Sequence, residues 1–356
     1  MYYFDHASGA IPDIQAADDL RDQLLRYSAN QEAVHASAYL ARKALDAAKQ
    51  RLLLLLTDEP DDFRIILSES GSTALALLGS QKLLKRSVLT SPMEHPAVYA
   101  ALKRSGAVVS RTAVSADGKI ILPETGEFNT VFFHHVQSET GAVQDLDGLF
   151  SRFPNALKIA DTIQSAGKFR IPRSADIVAV SGAKLGVPGT AALIVRKKYA
   201  PAVEALAKES RSSYNSSRPV IPFFIAMVNA LERRVKTLDE SFAGVVQLQN
   251  SLRNNLAQAD IKFTLPQECS SPYICHLNFP GKEGAVIVRL LGEAGISAGS
   301  GSACSAETRE PSAALTALGF DKRSAFSGLR ISFDISNTPQ EVDFLIEVLK
   351  KTLKNY

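Results

Sequence analysis

The feature that most constrains this chain of 356 residues is a regular alternation of short apolar runs with longer amphipathic stretches. The apolar runs have the length of β-strands, whereas His35–Leu56 repeats its apolar side chains at helical spacing. Strands that alternate with helices are typical of an α/β fold built on a mainly parallel sheet. The strands predicted for this sheet are Phe63–Leu67, Ser87–Thr90, Val108–Val114, Thr130–Val136, Leu157–Ala160, Ile177–Val180 and Ala191–Val195.

A second, smaller unit is predicted at the C-terminal end, because the chain is too long for one comfortable core. The pattern after Pro266 predicts two strands, Tyr273–Asn278 and Leu329–Phe333, together with two helices. We therefore expect a large domain over residues 1–258 and a small α/β domain over residues 259–356. The sequence leaves open whether the extreme N-terminal segment packs on the small domain.

Composition and charge exclude several classes of protein. The net charge of +3 gives no reason to expect nucleic acid or an anionic membrane as a partner. The longest purely aliphatic run, Leu52–Leu56, is far shorter than the roughly 20 residues that a membrane span needs, and the N-terminus lacks the pattern of a signal peptide. Cys269, Cys275 and Cys304 form neither a disulfide framework nor a zinc motif. We expect a reduced, cytoplasmic protein without a structural metal.

Polar residues follow several of the predicted strands, at the sheet edge where ligands bind in open α/β folds. Ser72 and Thr73 open a helix after the first strand, His95 follows the second, Asp161 ends a buried strand, and Lys184 sits in a glycine-rich turn. Taken alone, each has a common structural explanation as a helix cap, a helix-terminal histidine or a surface lysine. Together they supply a phosphate seat, an aromatic ring, an anion and an isolated amine. That set predicts a site for pyridoxal 5'-phosphate (PLP).

Five stretches then resemble, in order, the motifs of the class V aminotransferase family of fold-type-I PLP enzymes, and within it the NifS/IscS-like cysteine desulfurases. They are Tyr3-Phe-Asp-His-Ala-Ser, Glu69-Ser-Gly-Ser-Thr73, Met93-Glu-His95-Pro-Ala-Val, Asp161-Thr-Ile-Gln164-Ser-Ala-Gly-Lys and Ser181-Gly-Ala-Lys184. The resemblance implies a mainly parallel seven-stranded sheet, a small C-terminal domain and a homodimer.

The same resemblance implies a role for each site residue. Lys184 would form the Schiff base with PLP, and His95 would stack on the cofactor ring. Asp161 would face the pyridine nitrogen, and Gln164 the phenolic oxygen. The phosphate would be held by the hydroxyls of Ser72, Thr73 and Ser181.

Two C-terminal stretches carry the resemblance to desulfurases. Ser300–Ser312 is similar to the loop whose cysteine accepts sulfur, which implies that role for Cys304. Gly328-Leu-Arg330-Ile-Ser is similar to the strand whose arginine holds the substrate α-carboxylate, a task that suits the planar guanidinium.

The chain departs from the family pattern at three places. Ala183 stands where desulfurases keep a histidine, and Ser138 stands where they keep an asparagine that helps to hold the substrate. The stretch that reaches the partner subunit's phosphate is also changed, and Ser216, Ser217 or Arg218 is the candidate replacement.

These observations favour a PLP-dependent cysteine desulfurase. It would convert L-cysteine to L-alanine and leave a persulfide on Cys304 for a sulfur-acceptor protein, with Lys184 moving the α-proton and His95 accepting the thiol proton. The alternative is a class V aminotransferase or C–S/β-lyase that acts on another small amino acid without a catalytic cysteine. A third possibility is a cofactor-binding relative that has lost turnover.

Overall fold

The computed structural model describes residues 1–84, 86–214, 221–259, 261–264, 271–300 and 310–356. Its strands are β1 (Tyr2–Tyr3), β2 (Phe63–Ser68), β3 (Ser87–Thr90), β4 (Val108–Arg111), β5 (Ala113–Val114), β6 (Ile120–Ile121), β7 (Thr130–His134), β8 (Leu157–Asp161), β9 (Ile177–Ser181), β10 (Ala191–Arg196), β11 (Ile274–Asn278), β12 (Ile296–Ser297) and β13 (Gly328–Ser332).

The α-helices follow the strands through the chain, with short 3-10 turns at Pro60–Asp62 and Gly182–Lys184. They are α1 (Ile14–Tyr27), α2 (Ala36–Leu56), α3 (Gly71–Ala76), α4 (Pro96–Ser105), α5 (Leu146–Ser151), α6 (Ala200–Tyr214), α7 (Ile221–Lys236), α8 (Leu238–Gln258), α9 (Gly284–Glu293), α10 (Ala313–Ala317), α11 (Lys322–Ala325) and α12 (Pro339–Asn355). Within the described part of the chain, no helix is long and apolar enough to span a membrane.

The main sheet has seven strands within the described residues, in the order β2-β10-β9-β8-β7-β3-β4. Strand β10 runs antiparallel to both β2 and β9, and the other neighbouring pairs are parallel. The prediction of an α/β fold with a mainly parallel seven-stranded sheet is therefore confirmed. The parallel strands end together at one edge, which brings the loops that follow them into one region.

Both faces of this sheet are buried. Every residue of β7 and β9 is buried, as expected for parallel strands that are covered by helices on both sides. Val131 and Phe133 pack on one face with side chains of α2 and α7. Phe132 packs on the opposite face with side chains of α3, α4 and α6. The strands therefore read as nearly continuous apolar runs in the sequence.

A second core is built around the antiparallel pair β11 and β13. It contains apolar side chains of α8, α9 and α12 and, from the other end of the chain, Phe4. Strand β1 pairs in parallel with β12, so the N-terminal segment lies against the C-terminal elements. Because Val245 and Leu252 of α8 also belong to this core, α8 packs with the elements that follow it. The domain division at residue 258 stays a prediction.

Two predicted elements are divided in the structure. The strand predicted over Val108–Val114 ends at Arg111, and β5 then pairs with β6 instead of continuing along β3. The helical region predicted after Ile221 consists of α7 and α8, which are separated at Thr237.

A buried ion pair links α7 to the segment after β13. Both guanidinium nitrogens Nη1 and Nη2 of Arg234 lie 2.6 Å from the carboxylate oxygens of Asp334. Burial alone would raise the pKa of Asp334, but the hydrogen bonds and charge of Arg234 outweigh that effect and lower it to about 2. Lys168, which is also buried, adds a second cation beside this carboxylate.

We expect Asp334→Asn to lower the free energy of unfolding by about 3 kcal/mol, because it leaves two buried cations without their anion. The measurement is denaturant unfolding of the whole protein. Asp239→Asn is the matched control, since Asp239 pairs with Arg170 where both side chains are more than 80% exposed (84% and 83%), and such pairs contribute little. Equal losses in the two variants would contradict a special role for the buried pair.

Candidate active site

A cavity of about 570 Å³ opens at the carboxyl ends of β3, β7, β8 and β9. This volume is in the usual range for small-molecule sites. Its lining includes the predicted site residues Ser72, His95, Ser138, Asp161, Gln164, Ser181, Lys184 and Arg330. The structure thus brings together side chains that are spread over more than 250 positions of the sequence.

Lys184 reaches the cavity from a tight turn that follows β9. The turn depends on Gly182, where a Cβ atom would lie 2.2 Å from the Val187 carbonyl oxygen. The Lys184 Nζ donates hydrogen bonds to the carbonyl oxygens of Ala7 (2.7 Å) and Ser8 (2.6 Å). Burial, together with the positive charges of Lys168 and Arg330, lowers the pKa of Lys184 to about 8. Its amine is therefore neutral far more often than that of an ordinary lysine, as a nucleophile requires.

Asp161 and Gln164 also line the cavity. Asp161 is the last residue of β8, and its Oδ1 accepts a hydrogen bond from the Ile163 N–H (3.0 Å). Burial, reinforced by the nearby Glu94 carboxylate, raises the pKa of Asp161 to about 6 although the Ile163 hydrogen bond acts the other way. The Gln164 Nε2 donates to the Ala7 carbonyl (2.9 Å), while its Oε1 is buried without a partner in the described structure.

The predicted phosphate seat lies at the start of α3. A Cβ atom at Gly71 would lie 2.7 Å from the Ile163 Cδ1 and 3.3 Å from the Ser181 Cβ, so the Ile163 side chain would have to shift. Ser72 faces the cavity, and so does Ser181 at the end of β9. Thr73 is not part of the lining, since its Oγ1 lies 2.5 Å from the Oγ of the capping residue Ser70. The role of Thr73 stays a prediction, and Ser70 is a lining residue that sequence reasoning missed.

His95 caps the N-terminus of α4. Its Nδ1 accepts a hydrogen bond from the Ala97 N–H (3.1 Å), so the neutral ring carries its proton on Nε2. Burial and the charge of Lys184 lower the pKa of His95. Acceptance of a further proton at Nδ1 would cost this cap, and the role of His95 as acceptor of the thiol proton stays a prediction.

Arg330 is held in place by residues 5–8, which we call the N-terminal strap, and by Ser138. Its Nη2 donates to Asp5 Oδ1 (2.8 Å) and to Ser8 Oγ (2.6 Å), and its Nη1 donates to the Ser138 carbonyl (3.0 Å). The Nε–H is buried with no partner among the described residues. Sequence reasoning missed Asp5 and Ser8, although both lie in the quoted N-terminal motif.

Two predicted parts of the site cannot be placed. Cys304 and the stretch with Ser216, Ser217 and Arg218 lie outside the described residues. Cys275 is described, and it is buried in β11, where burial raises the pKa of its thiol to about 12. It is therefore an inert core side chain.

His134, the last residue of β7, and His135, which follows it, face opposite ways, as the strand geometry predicts. His134 lines the cavity, and its Nδ1 lies 2.9 Å from Glu94 Oε1. His135 points away, and its Nδ1 lies 2.9 Å from Ser165 Oγ. Among the described residues there is no cluster of side chains that could hold a metal ion.

The family model for Aminotransferase class-V matches residues 2–345 of this chain. The chain belongs to the class-V aminotransferase family. That result confirms the predicted family and, because these enzymes depend on PLP, the predicted cofactor and enzyme class.

Individual relatives fit the same family. The cysteine desulfurase IscS of Salmonella typhi is 28% identical over 340 residues, which cover 90% of this chain and 83% of the relative. The solved structure of a NifS-like protein has a TM-score of 0.84 at 21% identity and covers all of both chains. The apo structure of a cysteine desulfurase from Thermococcus onnurineus has a TM-score of 0.83 at 18% identity and covers 100% of this chain and 95% of that one. These two likenesses establish the fold.

The residues present fit PLP. The cavity combines a desolvated carboxylate at Asp161, an amine at Lys184 and hydroxyls at Ser72 and Ser181. Gln164, whose buried Oε1 has no partner in the described structure, also lines the cavity. A pyridinium nitrogen, an aldehyde and a phosphate are groups that such side chains would hold.

We expect the apo-protein to form its covalent adduct with PLP at a rate that rises with pH and levels off above about 8, because the amine attacks only when it has lost its proton. The measurement is borohydride trapping of the adduct as a function of pH. Lys168→Met should move the midpoint to higher pH, since the Lys168 charge lowers the Lys184 pKa.

The control for this experiment is Lys198→Met, in which the substituted side chain is 60% exposed and outside the cavity. Its midpoint should match that of the wild type. A wild-type midpoint near 10.5, the ordinary lysine value, would contradict the argument.

Proposed function

We propose that this protein is a PLP-dependent cysteine desulfurase that converts L-cysteine to L-alanine and passes the sulfur on through Cys304. The proposal of an α-amino acid substrate rests on one observation, which is that Lys184 and Arg330 both contact Ser8. Lys184 Nζ donates to the Ser8 carbonyl (2.6 Å), and Arg330 Nη2 donates to the Ser8 hydroxyl (2.6 Å). An α-amino acid carries its amine and its carboxylate on one carbon, so it suits a site in which an amine-exchanging lysine and a guanidinium both contact the same residue.

Each residue has a distinct task in this proposal. PLP, when bound, withdraws electrons from the substrate Cα. Arg330 would bind the α-carboxylate with the N–H groups that the N-terminal strap leaves free. Lys184 would take the α-proton once its amine is released, and its lowered pKa suits a base that works near neutral pH. Asp161 would hold the ring nitrogen, and Ser72 and Ser181 the phosphate.

The sulfur transfer is assigned to Cys304. Its thiolate would attack the substrate sulfur, so that one S–S bond forms while the Cβ–S bond breaks. The electron pair of the Cβ–S bond stays on Cβ, which takes up a proton, and alanine leaves. Cys304 then carries the persulfide, and no external oxidant or reductant is needed. The resemblance of Ser300–Ser312 and the 28% identity to IscS, which is named a cysteine desulfurase, support this step.

A second candidate function is a class V aminotransferase or C–S/β-lyase reaction on a small amino acid. Ser138 and Ala183 favour it, because both replace residues that desulfurases keep. Ser138 lines the cavity, but it contacts Arg330 through its backbone carbonyl (3.0 Å). In that reaction Cys304 would be dispensable.

The deciding experiment is to incubate the purified protein with L-cysteine and a thiol and to measure alanine and sulfide. We expect Lys184→Ala to lose both products and Cys304→Ala to lose them by at least a hundredfold. Cys275→Ala is the matched control, because that thiol is buried and has a pKa raised to about 12, so it should keep the wild-type rate.

Unchanged alanine production in Cys304→Ala would rule out the persulfide step on Cys304. Sulfide with pyruvate and ammonia in place of alanine would support the β-lyase, because β-elimination leaves no alanine. An amino-group transfer to a keto acid without sulfide would support the aminotransferase. A protein that binds PLP but turns over no amino acid would support the inactive relative.

The proposal includes a homodimer. Apolar side chains on α1, on α2 and between them are exposed, among them Ile14 (83%), Leu25 (81%), Val34 (100%) and Tyr39 (59%). Exposed apolar patches of this kind mark protein interfaces. We expect sedimentation equilibrium to give about twice the chain mass of 38.4 kDa, and a monomer at micromolar concentration would contradict this. The sulfur-acceptor protein and the cytoplasmic location stay predictions.

A further inference from the structure

A buried carboxylate and a histidine lie beside Asp161. Glu94 Oε1 accepts hydrogen bonds from both the Nδ1 (2.9 Å) and the backbone N–H (3.1 Å) of His134. The two side chains are 0% and 4% exposed. Because one carboxylate oxygen accepts both bonds, Nδ1 carries a proton and the orientation of the ring is fixed.

The sheet places this pair next to Asp161. His134 and Asp161 end the neighbouring parallel strands β7 and β8 as direct partners in register, so their side chains leave the sheet on the same side, about 5 Å apart along the hydrogen-bonding direction. Both line the cavity. His134 Nε2 is buried with no partner among the described residues, and the hydrogen bond from Ile163 occupies only Oδ1 of Asp161.

The buried carboxylates of Glu94 and Asp161 are stabilised by a nearby positive charge. Glu94 and Asp161 are two buried carboxylates, and Glu94 Oε2 has no partner in the described structure. Two such carboxylates are costly unless positive charge lies between or beside them. Lys184 and His134 are the positive or chargeable groups that interact with Asp161.

We propose that Glu94 and His134 are positioning residues that keep Asp161 ionised, so that the ring nitrogen of bound PLP stays protonated. An imidazolium between Glu94 and Asp161 compensates one carboxylate, and the pyridinium compensates the other. The net charge of the two carboxylates, the imidazolium and the pyridinium is then zero. The inference rests on the cofactor and holds whichever amino acid is the substrate.

The test uses the whole protein reconstituted with PLP that carries ¹⁵N at the ring nitrogen. The variants are His134→Gln, which keeps a polar side chain but no positive charge, and Glu94→Gln. His135→Gln is the matched control, because that neighbour faces the other side of the sheet and contacts Ser165. The measurements are the ¹⁵N resonance of the bound ring, the dissociation constant for PLP, and the thermal unfolding of each apo-protein.

We expect His134→Gln to move the ¹⁵N resonance toward the position of an unprotonated pyridine and to weaken PLP binding about tenfold, which corresponds to one unit of pKa. Glu94→Gln removes both the acceptor that holds His134 and a charge that raises the pKa of Asp161. Because these two effects oppose each other, the ¹⁵N resonance should move less than in His134→Gln, and His135→Gln should match the wild type. If His134→Gln does not fold, the ¹⁵N resonance of His134→Asn decides, since asparagine also keeps a polar side chain without a positive charge.

A wild-type resonance in a folded His134→Gln or His134→Asn variant would overturn the inference. A wild-type protein that does not bind PLP would instead contradict the cofactor assignment. Neither conclusion depends on desulfurase activity, so a failure of this inference can be distinguished from a failure of the proposed function.

Discussion

The site depends on the hydrogen bonds of the N-terminal strap. The Ala7 carbonyl accepts from both Lys184 Nζ and Gln164 Nε2, while Asp5 and Ser8 hold Arg330. The strap itself is fixed from the C-terminal side, since the Ala7 N–H donates to the Ser332 hydroxyl (2.9 Å). It therefore joins groups from the large sheet to groups from β13. The distance between the amine and the guanidinium is set by four residues at the start of the chain.

Those hydrogen bonds also explain the different behaviour of the buried cations. Arg330 and Arg234 each contact a carboxylate, Asp5 and Asp334 respectively. Lys184 donates instead to two carbonyl oxygens, which orient the amine without supplying a full negative charge. Burial can then lower its pKa. An amine that has to give up its proton and attack an aldehyde needs this kind of environment, whereas an arginine that holds a carboxylate needs to stay charged.

The sequence alone could predict the features that depend on a local residue pattern or on the place of a single residue in the chain. The buried strands could be predicted because parallel strands covered on both faces are apolar throughout. Asp161 and Lys184 could be predicted because Asp161 ends such a strand and Lys184 lies in the turn that follows another. The roles of Asp5, Ser8 and Glu94 were not readable, because they arise from contacts between residues that are distant in sequence. Asp5 and Arg330, for example, are 325 positions apart. The role of His134 was not predictable either, because only its register with Asp161 shows which residue it lies beside.

The position of imidazoles in this site differs from the family pattern. Ala183 lines the cavity between Ser181 and Lys184, and its methyl group can neither donate nor accept a hydrogen bond. Its backbone carbonyl is used by the Ala10 N–H (2.8 Å), so this residue supports the N-terminal segment instead of touching a ligand through a polar side chain. The hydroxyls of Ser72 and Ser181 are consequently the polar side chains of the predicted phosphate seat that face the cavity. Because residue 183 is an alanine, one possible hydrogen bond on the Lys184 side of the cavity is missing. On the Asp161 side, the His134 imidazole lines the cavity.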